Sequence, residues 1–403
     1  MAQQDFSTKK ALLIEDMAEA RIMQRKMLTD FGFTSIDIAM KAETAIELLR
    51  SKSFDVILSD YNLGKGKDGQ QLLEEVRHSK LIPNTATYLM VTAETSIEMV
   101  MGAIEYQPDG YITKPFSQAM LQRRLNKLLE TKERLFKVNK ALDSKKYSDA
   151  IKQAEKVIEN HPSLEGKCER IIGDCLLELR DYRKAFSLFD KVAKSRKMPW
   201  ALFGKAKCYY FTNEQDKAEK LLRQLMLDNR FFVSAYDWLA KVLLKQDKPK
   251  EAQAALIEAI TKSPKNILRQ MELGRISLMI EDSITAEMAY RKAVFLAKHS
   301  CYNTSEVYLK HLESLARISD AGTLLPRQQD NFDSTLKKIH ENFFEEPETR
   351  AKSYEYEMDV CIASGETTTA KQIFEVWLSE VGSATTTAPT KEQNDRYAKL
   401  FGN

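Results

Sequence analysis

Hydrophobic and polar positions switch repeatedly between two periods along the first 130 residues. KALLIED (10–16) is a short apolar run closing on two acids. Residues 18–31 carry Ile22, Met23, Met27 and Leu28 on one helical stripe. SIDIAM (35–40) reads as a strand and residues 42–49 as a helix. FDVILSD (54–60) is a buried strand ending in an acid, followed by a helical pattern over 68–78. ATYLMVT (86–92) is a strand ending in threonine, and residues 95–105 are helical. GYIT (110–113) is a strand and residues 118–130 are helical. Five strands alternating with five helices predict a doubly wound parallel α/β domain over residues 1–130.

No strand pattern follows Lys114. Alanines instead recur at 150, 185, 218, 252 and 286, with spacings of 35, 33, 34 and 34. Each sits near the start of a second helix, as in YSDAIKQAEKVI and YRKAFSLFDKVA. Twelve residues before each stands Val138, Gly173, Ala206, Ala240 or Gly274, mostly small enough to let two helices pack closely. Pro162 and Pro264 close two of the units. The register predicts five two-helix units starting near 131, 166, 199, 233 and 267, within residues 131–300. Residues 301–384 read as a further helical, repeat-like region. Within it 301–350 are out of register, and a sixth unit near 351–384 carries Ala370, Phe374 and Trp377. Residues 385–403, from SATTTAPTKEQN onward, read as a loose tail. Between Ser117 and His161 there is neither glycine nor proline. A flexible linker would be rich in such residues, so the last helix of the α/β domain should run into, or pack against, the first repeat helix. Two independent domains on a helical spacer is the plainer reading.

Composition narrows the class. Of 403 residues, 43% are hydrophobic and 30% charged, ordinary for a soluble protein. No apolar run approaches the roughly 18 residues of a membrane span. MAQQDFSTKK has no apolar core, so no signal peptide is expected and the cytoplasm is the expected compartment. The five cysteines are scattered without a C-x-x-C pair, and the histidines show no H-x-x-x-H spacing. Reduced, buried cysteines follow, rather than a disulfide or cysteine–histidine metal framework. Charge is segmental. Residues 1–130 hold 16 basic and 18 acidic side chains, 131–318 hold 36 and 25, and 319–403 hold 9 and 15. A basic middle between acidic ends points to an acidic partner or to contact between segments; lysines on solvated helix faces are the plainer reading.

The strand ends carry the chemistry. Four of them close on Glu15–Asp16, Asp60, Thr92 and Lys114, and in open α/β sheets the functional crevice lies beyond these carboxyl ends. Crowded carboxylates repel, so a hard divalent cation with oxygen ligands belongs among them, and magnesium fits. A carboxylate beside a metal and a lysine can attack phosphorus. The cation and Lys114 would stabilise the transferring phosphoryl group, and Thr92 could bond one of its oxygens. In YITKPF (111–116) a proline follows that lysine at once and bends the chain there.

These residues, in the order LLIED, VILSDYNL, MVTAE and YITKPF, resemble a bacterial response-regulator receiver domain, CheY-like and flavodoxin-like in fold, over about residues 8–130. The resemblance implies that Asp60 is phosphorylated by a histidine kinase or phosphotransfer protein. It implies that Glu15 and Asp16 hold Mg2+ together with Asp60 and the Asn62 carbonyl. It implies that Thr92 and Tyr111 form the switch pair and that Lys114–Pro115 is cis. The loop DYNLGKGKDG departs from the family pattern: Gly64 stands where a proline is usual, and one extra residue precedes Asp68–Gly69. That puts the stiffness of the loop in question, not the nucleophile. Asn62 and Glu94 occupy positions where polar groups help orient an attacking water, so a short-lived phosphate is expected. A flavodoxin-like fold with incidental strand-end acids is the alternative.

The repeats resemble the tetratricopeptide repeat, whose stacked units form a solenoid with a concave groove lined by first helices. On that register the groove would show Trp200, Phe203, Tyr210 and Phe211 beside Arg170, Lys207, Lys241 and Arg275. Aromatics and cations together suit an acidic, partly apolar peptide; ordinary packing and solvated residues are the plainer reading. The expected function is a two-component response regulator whose output is phosphorylation-dependent protein binding, with a homodimer contact as another surface that phosphorylation could shift. No enzyme is expected, since no cyclase or phosphodiesterase motif appears. A nucleic-acid regulator using the basic repeats is the alternative, but the charge is dispersed and no recognition motif accompanies it. A receiver that merely drains phosphate from a kinase is a third reading.

Overall fold

The computed structural model of the protein describes residues 5–93 and 102–402. Strands β1 (Lys10–Ile14), β2 (Ser35–Ala39), β3 (Val56–Asp60), β4 (Thr87–Thr92) and β5 (Gly110–Thr113) form one parallel sheet in the order β2-β1-β3-β4-β5. Its strands are apolar on both faces, as parallel strands covered on both sides must be. Leu12, Ile14, Ile57 and Met90 join one core; Ala11, Leu13, Leu58 and Val91 join the other. Helices α1 (Ala18–Phe31), α2 (Ala42–Ser51), α3 (Gly69–His78) and α4 (Gln118–Arg134) cover the sheet. Of the helix expected over 95–105, residues 102–105 are helical and the others lie outside the described residues.

Helix α4 begins at a Ser117 cap, whose hydroxyl accepts from the Met120 N–H at 3.2 Å, and buries Leu121, Leu125 and Leu129. One residue, the buried Leu135, separates it from α5 (Phe136–Asp143). The stiff junction expected from the sequence is therefore a near-continuous helical path. Lys132 Nζ reaches back to Asp109 at 2.7 Å and to the Asn84 carbonyl at 2.6 Å, while Asp143 accepts from the Asn84 backbone at 2.9 Å.

Ten helices, α5 with α6 (Tyr147–Asn160), α7 (Glu165–Glu178), α8 (Tyr182–Arg196), α9 (Pro199–Phe211), α10 (Gln215–Asp228), α11 (Val233–Lys245), α12 (Pro249–Lys262), α13 (Ile267–Met279) and α14 (Ser283–Ala297), form the five pairs. All five register alanines are fully buried. A Cβ added to Gly173 would meet the Phe189 ring at 2.4 Å, and one on Gly274 the Tyr290 ring at 2.5 Å. The small residues therefore leave room for an aromatic of the following helix. The turn inside each pair holds a left-handed residue five positions before its alanine: Lys145, Arg180, Asn213, Asp247 and Glu281, at φ 54, 59, 63, 57 and 62°. Gly365, at φ 79°, stands at the same place before Ala370 and puts the sixth unit in register.

Contacts divide the chain into two compact units. The first comprises Met1–Lys248, Glu258–Pro264 and His299–Cys301, so the sheet domain and the first repeats pack as one body. The second comprises Pro249–Ile257, Lys265–Lys298 and Tyr302–Asn403. It contains α15 (Ser305–Ser319), α16 (Pro326–Asn342), α17 (Pro347–Ala363), α18 (Thr367–Gly382) and α19 (Lys391–Phe401). The C-terminal tail is not loose. Trp377 Nε1 donates to the Thr387 carbonyl at 2.8 Å, and Thr390 caps α19. Tyr397 is buried, 5.3 Å from the Phe374 ring centroid. The threonine run supplies backbone acceptors that a buried indole needs. The cysteines are free, but only Cys168, Cys175 and Cys208 are buried; Cys301 and Cys361 are half-buried.

Candidate functional site

The parallel sheet brings β1, β3, β4 and β5 to one edge and so gathers their terminal residues. Lys114 Nζ lies 3.0 Å from Asp60 Oδ2 and 2.8 Å from Glu15 Oε2. The other Asp60 oxygen accepts the Tyr61 backbone N–H at 2.8 Å. Glu15 is fully buried and also accepts from Gln24 Nε2 at 2.7 Å. Arg21 donates to the carbonyls of Glu15 and Asp16 at 3.0 and 2.8 Å, holding the acidic turn. Burial raises the Asp60 carboxyl above the usual carboxylate range, opposed by Lys114 and reinforced by Glu15. Burial pushes the Lys114 ammonium down, but its bonds to Glu15 and Asp60 more than offset this and leave it raised.

Thr92 is fully buried, and its carbonyl accepts the Lys114 backbone N–H at 2.7 Å. Tyr111 pairs with Met90, two residues before Thr92, so Tyr111 and Thr92 share a sheet face. The Lys114–Pro115 bond is cis. Asn62 is exposed, one residue past Tyr61. Glu94 lies outside the described residues.

The unusual loop is shaped by glycines. Gly64 has φ +70°, and a Cβ there would lie 3.0 Å from Asp16 Oδ2. A Cβ on Gly69 would meet the Asp60 carbonyl oxygen at 2.2 Å, so the start of α3 rests directly on the end of β3. Asp68 caps α3 by accepting from the Gln71 N–H at 2.8 Å. Sequence reading missed the anchors Gln24 and Arg21, although both lie one to two turns into a helix that begins beside the acids.

Glu15, Asp16 and Asp60 offer carboxylate oxygens that all lie within 4.8 Å of one another. An all-oxygen set of this kind fits a hard cation such as Mg2+. Bound there, the cation would neutralise charge on transferring phosphoryl oxygens.

The residues expected in the groove divide. Arg170, Trp200, Phe203, Lys207 and Phe211 line one cavity of the first unit. Tyr210 and Lys241 stand beside it, 5.4 and 5.0 Å from the Trp238 ring centroid. Arg275 belongs to the second unit, where it pairs with Glu272 at 2.7 Å. Trp238 went unpredicted, although it lies one helical turn before Lys241 on the same helix.

This is the architecture of a doubly wound α/β domain with an acidic, lysine-paired strand edge, joined to a helical repeat. The family "Response regulator receiver domain" matches residues 11–154, and "Tetratricopeptide repeat" matches residues 176–241. Chemotaxis protein CheY-3 of Vibrio cholerae serotype O1 is 32% identical over 121 residues, 30% of this chain and 92% of that protein. Chemotaxis protein CheY of Pseudomonas aeruginosa is 32% identical over 121 residues and 96% of its length. A receiver domain from Methanospirillum hungatei shares 23% identity over 31% of this chain and 96% of its own, with a TM-score of 0.29. The C-terminal part of a repeat protein from Cytophaga hutchinsonii shares 13% over 61% of this chain and 94% of its own, with a TM-score of 0.47. The chain belongs to the response-regulator family through its CheY-like receiver domain, which tetratricopeptide repeats follow. No helix among the described residues is long and apolar enough to cross a membrane.

Proposed function

We propose that this response regulator is phosphorylated on Asp60 by a histidine kinase or phosphotransfer protein, and that phosphorylation controls protein binding by the repeats. The supporting observation is the placement of Asp60, with Lys114 3.0 Å from one carboxylate oxygen and the Tyr61 N–H 2.8 Å from the other. A carboxylate oxygen of Asp60 attacks phosphorus, the donor's bond to phosphorus breaks, and its electron pair leaves with the donor. Lys114 stabilises the phosphoryl oxygens, and Thr92 bonds one of them. Glu15, Asp16, Asp60 and the Asn62 carbonyl would hold Mg2+, which supplies charge neutralisation during transfer. Thr92 and Tyr111 act as the switch, and Asn62 with Glu94 sets the lifetime of the acyl phosphate. The protein acts in the cytoplasm and without an enzymatic output. In this reading residues 1–130 receive the signal and 131–300 carry the output, with Arg170, Trp200, Phe203, Lys207, Tyr210, Phe211 and Lys241 contributing to partner contact.

Incubation with acetyl phosphate and Mg2+ tests this by intact mass. Wild type should gain one phosphoryl group, Asp60→Asn should gain none, and Asp16→Ala should need far more Mg2+. Equal phosphorylation of wild type and Asp60→Asn refutes the assignment.

A further inference from the structure

Within the first unit a cavity of about 1140 Å3 opens between residues 104–111 of the receiver and the first helices α7, α9 and α11 of three successive repeats. It exceeds the roughly 300–1,000 Å3 of a small-molecule pocket. Ile104, Pro108 and Tyr111 line it from the receiver, and Phe203 and Trp238 line it from the repeats. The receiver segment is therefore one wall of the concave surface.

Charge selects the occupant. Lys207 makes no ion pair among the described residues, and its ammonium sits 4.5 Å from the Phe203 ring centroid and 5.3 Å from that of Trp238. Arg170 stands one first helix earlier and Lys241 one later, and both oppose a second positive charge at Lys207. Asp174 pairs with Arg170 at 4.0 Å and, with Glu178, favours the charge on Lys207 through space, without forming an ion pair with it. On the receiver wall Asp109 is already paired with Lys132 at 2.7 Å. Glu105 and Glu178 also line the cavity, yet neither forms an ion pair with Lys207. Burial depresses the Lys207 pKa. A carboxylate from outside would give Lys207 the direct partner and charge-assisted hydrogen bond that these more distant acids do not. The surrounding rings would take an apolar or aromatic side chain.

We propose that the cavity is a composite docking site for an extended acidic peptide of a partner protein, anchored by one aromatic or aliphatic side chain and held between the receiver and the repeats. The proposal rests on the protein-binding reading above and adds that the receiver itself makes one wall of the site. Tyr111, three residues from Lys114 on the same strand path, then touches the occupant directly. Phosphorylation would alter the site through its wall, with no requirement for the two halves to move apart.

The test is selection of a random dodecapeptide display library on the full chain, followed by titration of the most enriched peptide, synthesised and labelled. Two charge reversals are compared, Arg170→Glu on the repeats and Ile104→Glu on the receiver; both side chains are exposed, so folding should survive, as circular dichroism will check. The expected result is an enriched pool rich in Asp and Glu around an apolar residue, with Kd raised at least about tenfold by each variant, roughly 1.4 kcal/mol. Loss with Arg170→Glu alone leaves the groove reading intact and overturns the composite site. A pool without acidic bias, no enrichment, or binding indifferent to both variants overturns both.

Discussion

Lys132 and Asp109 form a largely buried ion pair, 2.7 Å apart, with 13% and 15% of their side chains exposed. One belongs to the end of the last receiver helix, the other to the turn before β5. The same ammonium also bonds the Asn84 carbonyl, and Asn84 in turn bonds Asp143 of the first repeat helix. The pair thus ties the turn before β5 to the junction with the repeats. Burial holds the Lys132 ammonium below its usual range, and Asp109 opposes that shift.

Lys132→Met should destabilise the first unit by about 3 kcal/mol, the low end for breaking a buried pair, because Arg77 still lies 3.8 Å from Asp109. Urea unfolding of Lys132→Met, Asp109→Asn and the double variant measures this. A coupling energy near zero in that cycle would show that the two residues act independently.

Gly69→Ala should disturb the Asp60 site without replacing an acid. Its Cβ would overlap the Asp60 carbonyl oxygen, so the end of β3 must shift. Roughly 1–3 kcal/mol of stability should be lost, as in other overpacked sites, and acetyl phosphate should modify the variant more slowly. An unchanged melting point with unchanged phosphorylation would refute the contact.

The left-handed turn residues make a paired prediction. An L-residue in this conformation costs roughly 1–2 kcal/mol, and Arg180 (φ 59°) and Glu281 (φ 62°) carry that cost in their units. Arg180→Gly and Glu281→Gly should each stabilise by about 0.5–1 kcal/mol, while Gly365→Ala (φ 79°) should destabilise by a similar amount. Thermal melts decide the sign. Destabilisation by both glycine substitutions would mean that the lost side-chain contacts outweigh backbone strain.

His311 in α15 is 1% exposed. Its Nδ1 lies 2.9 Å from Thr335 Oγ1 and its Nε2 3.5 Å from Glu287, with Arg291 and Lys338 also acting on it. Burial lowers its pKa from the ordinary 6.5, and Glu287 only partly opposes this. The unfolded chain therefore takes up the proton first as pH falls. Stability of the second unit should drop as pH passes below about 6.5, by at most ~1.4 kcal/mol per pH unit from this residue. Urea unfolding at about pH 7.5 and about 5.5, followed by Trp377 fluorescence in a Trp200→Phe, Trp238→Phe background, measures it. His311→Gln should lose less stability over this interval than the histidine form. Equal losses would assign the pH dependence to other groups.

Local pattern was sufficient wherever one element reports its own burial. Strand runs ending in Glu15, Asp60, Thr92 and Lys114 made the sheet and the gathering of these residues at one edge legible, because parallel strands must point their ends the same way. The alanine register made the helix pairs legible, because each alanine marks one close helix crossing. Glycine and proline content read the junction correctly for the same reason. The tail misled: a threonine-rich segment reads as solvated until Trp377 and Phe374, on another helix, provide its partners.

By itself, then, the sequence determined the two folds, the order of the repeats and the acidic site, set by helix and strand periodicities, by the 33–35-residue spacing of the alanines and by strand direction. The tertiary structure alone decided which surfaces face each other. It placed Ile104 and Tyr111 opposite Phe203 and Trp238 across one cavity of the first unit, and it put Arg275 in the second unit. Those outcomes depend on helix crossing angles accumulated from one repeat to the next. Each angle is set by side-chain ridges meeting between helices, a relation between elements that no single stretch of sequence contains.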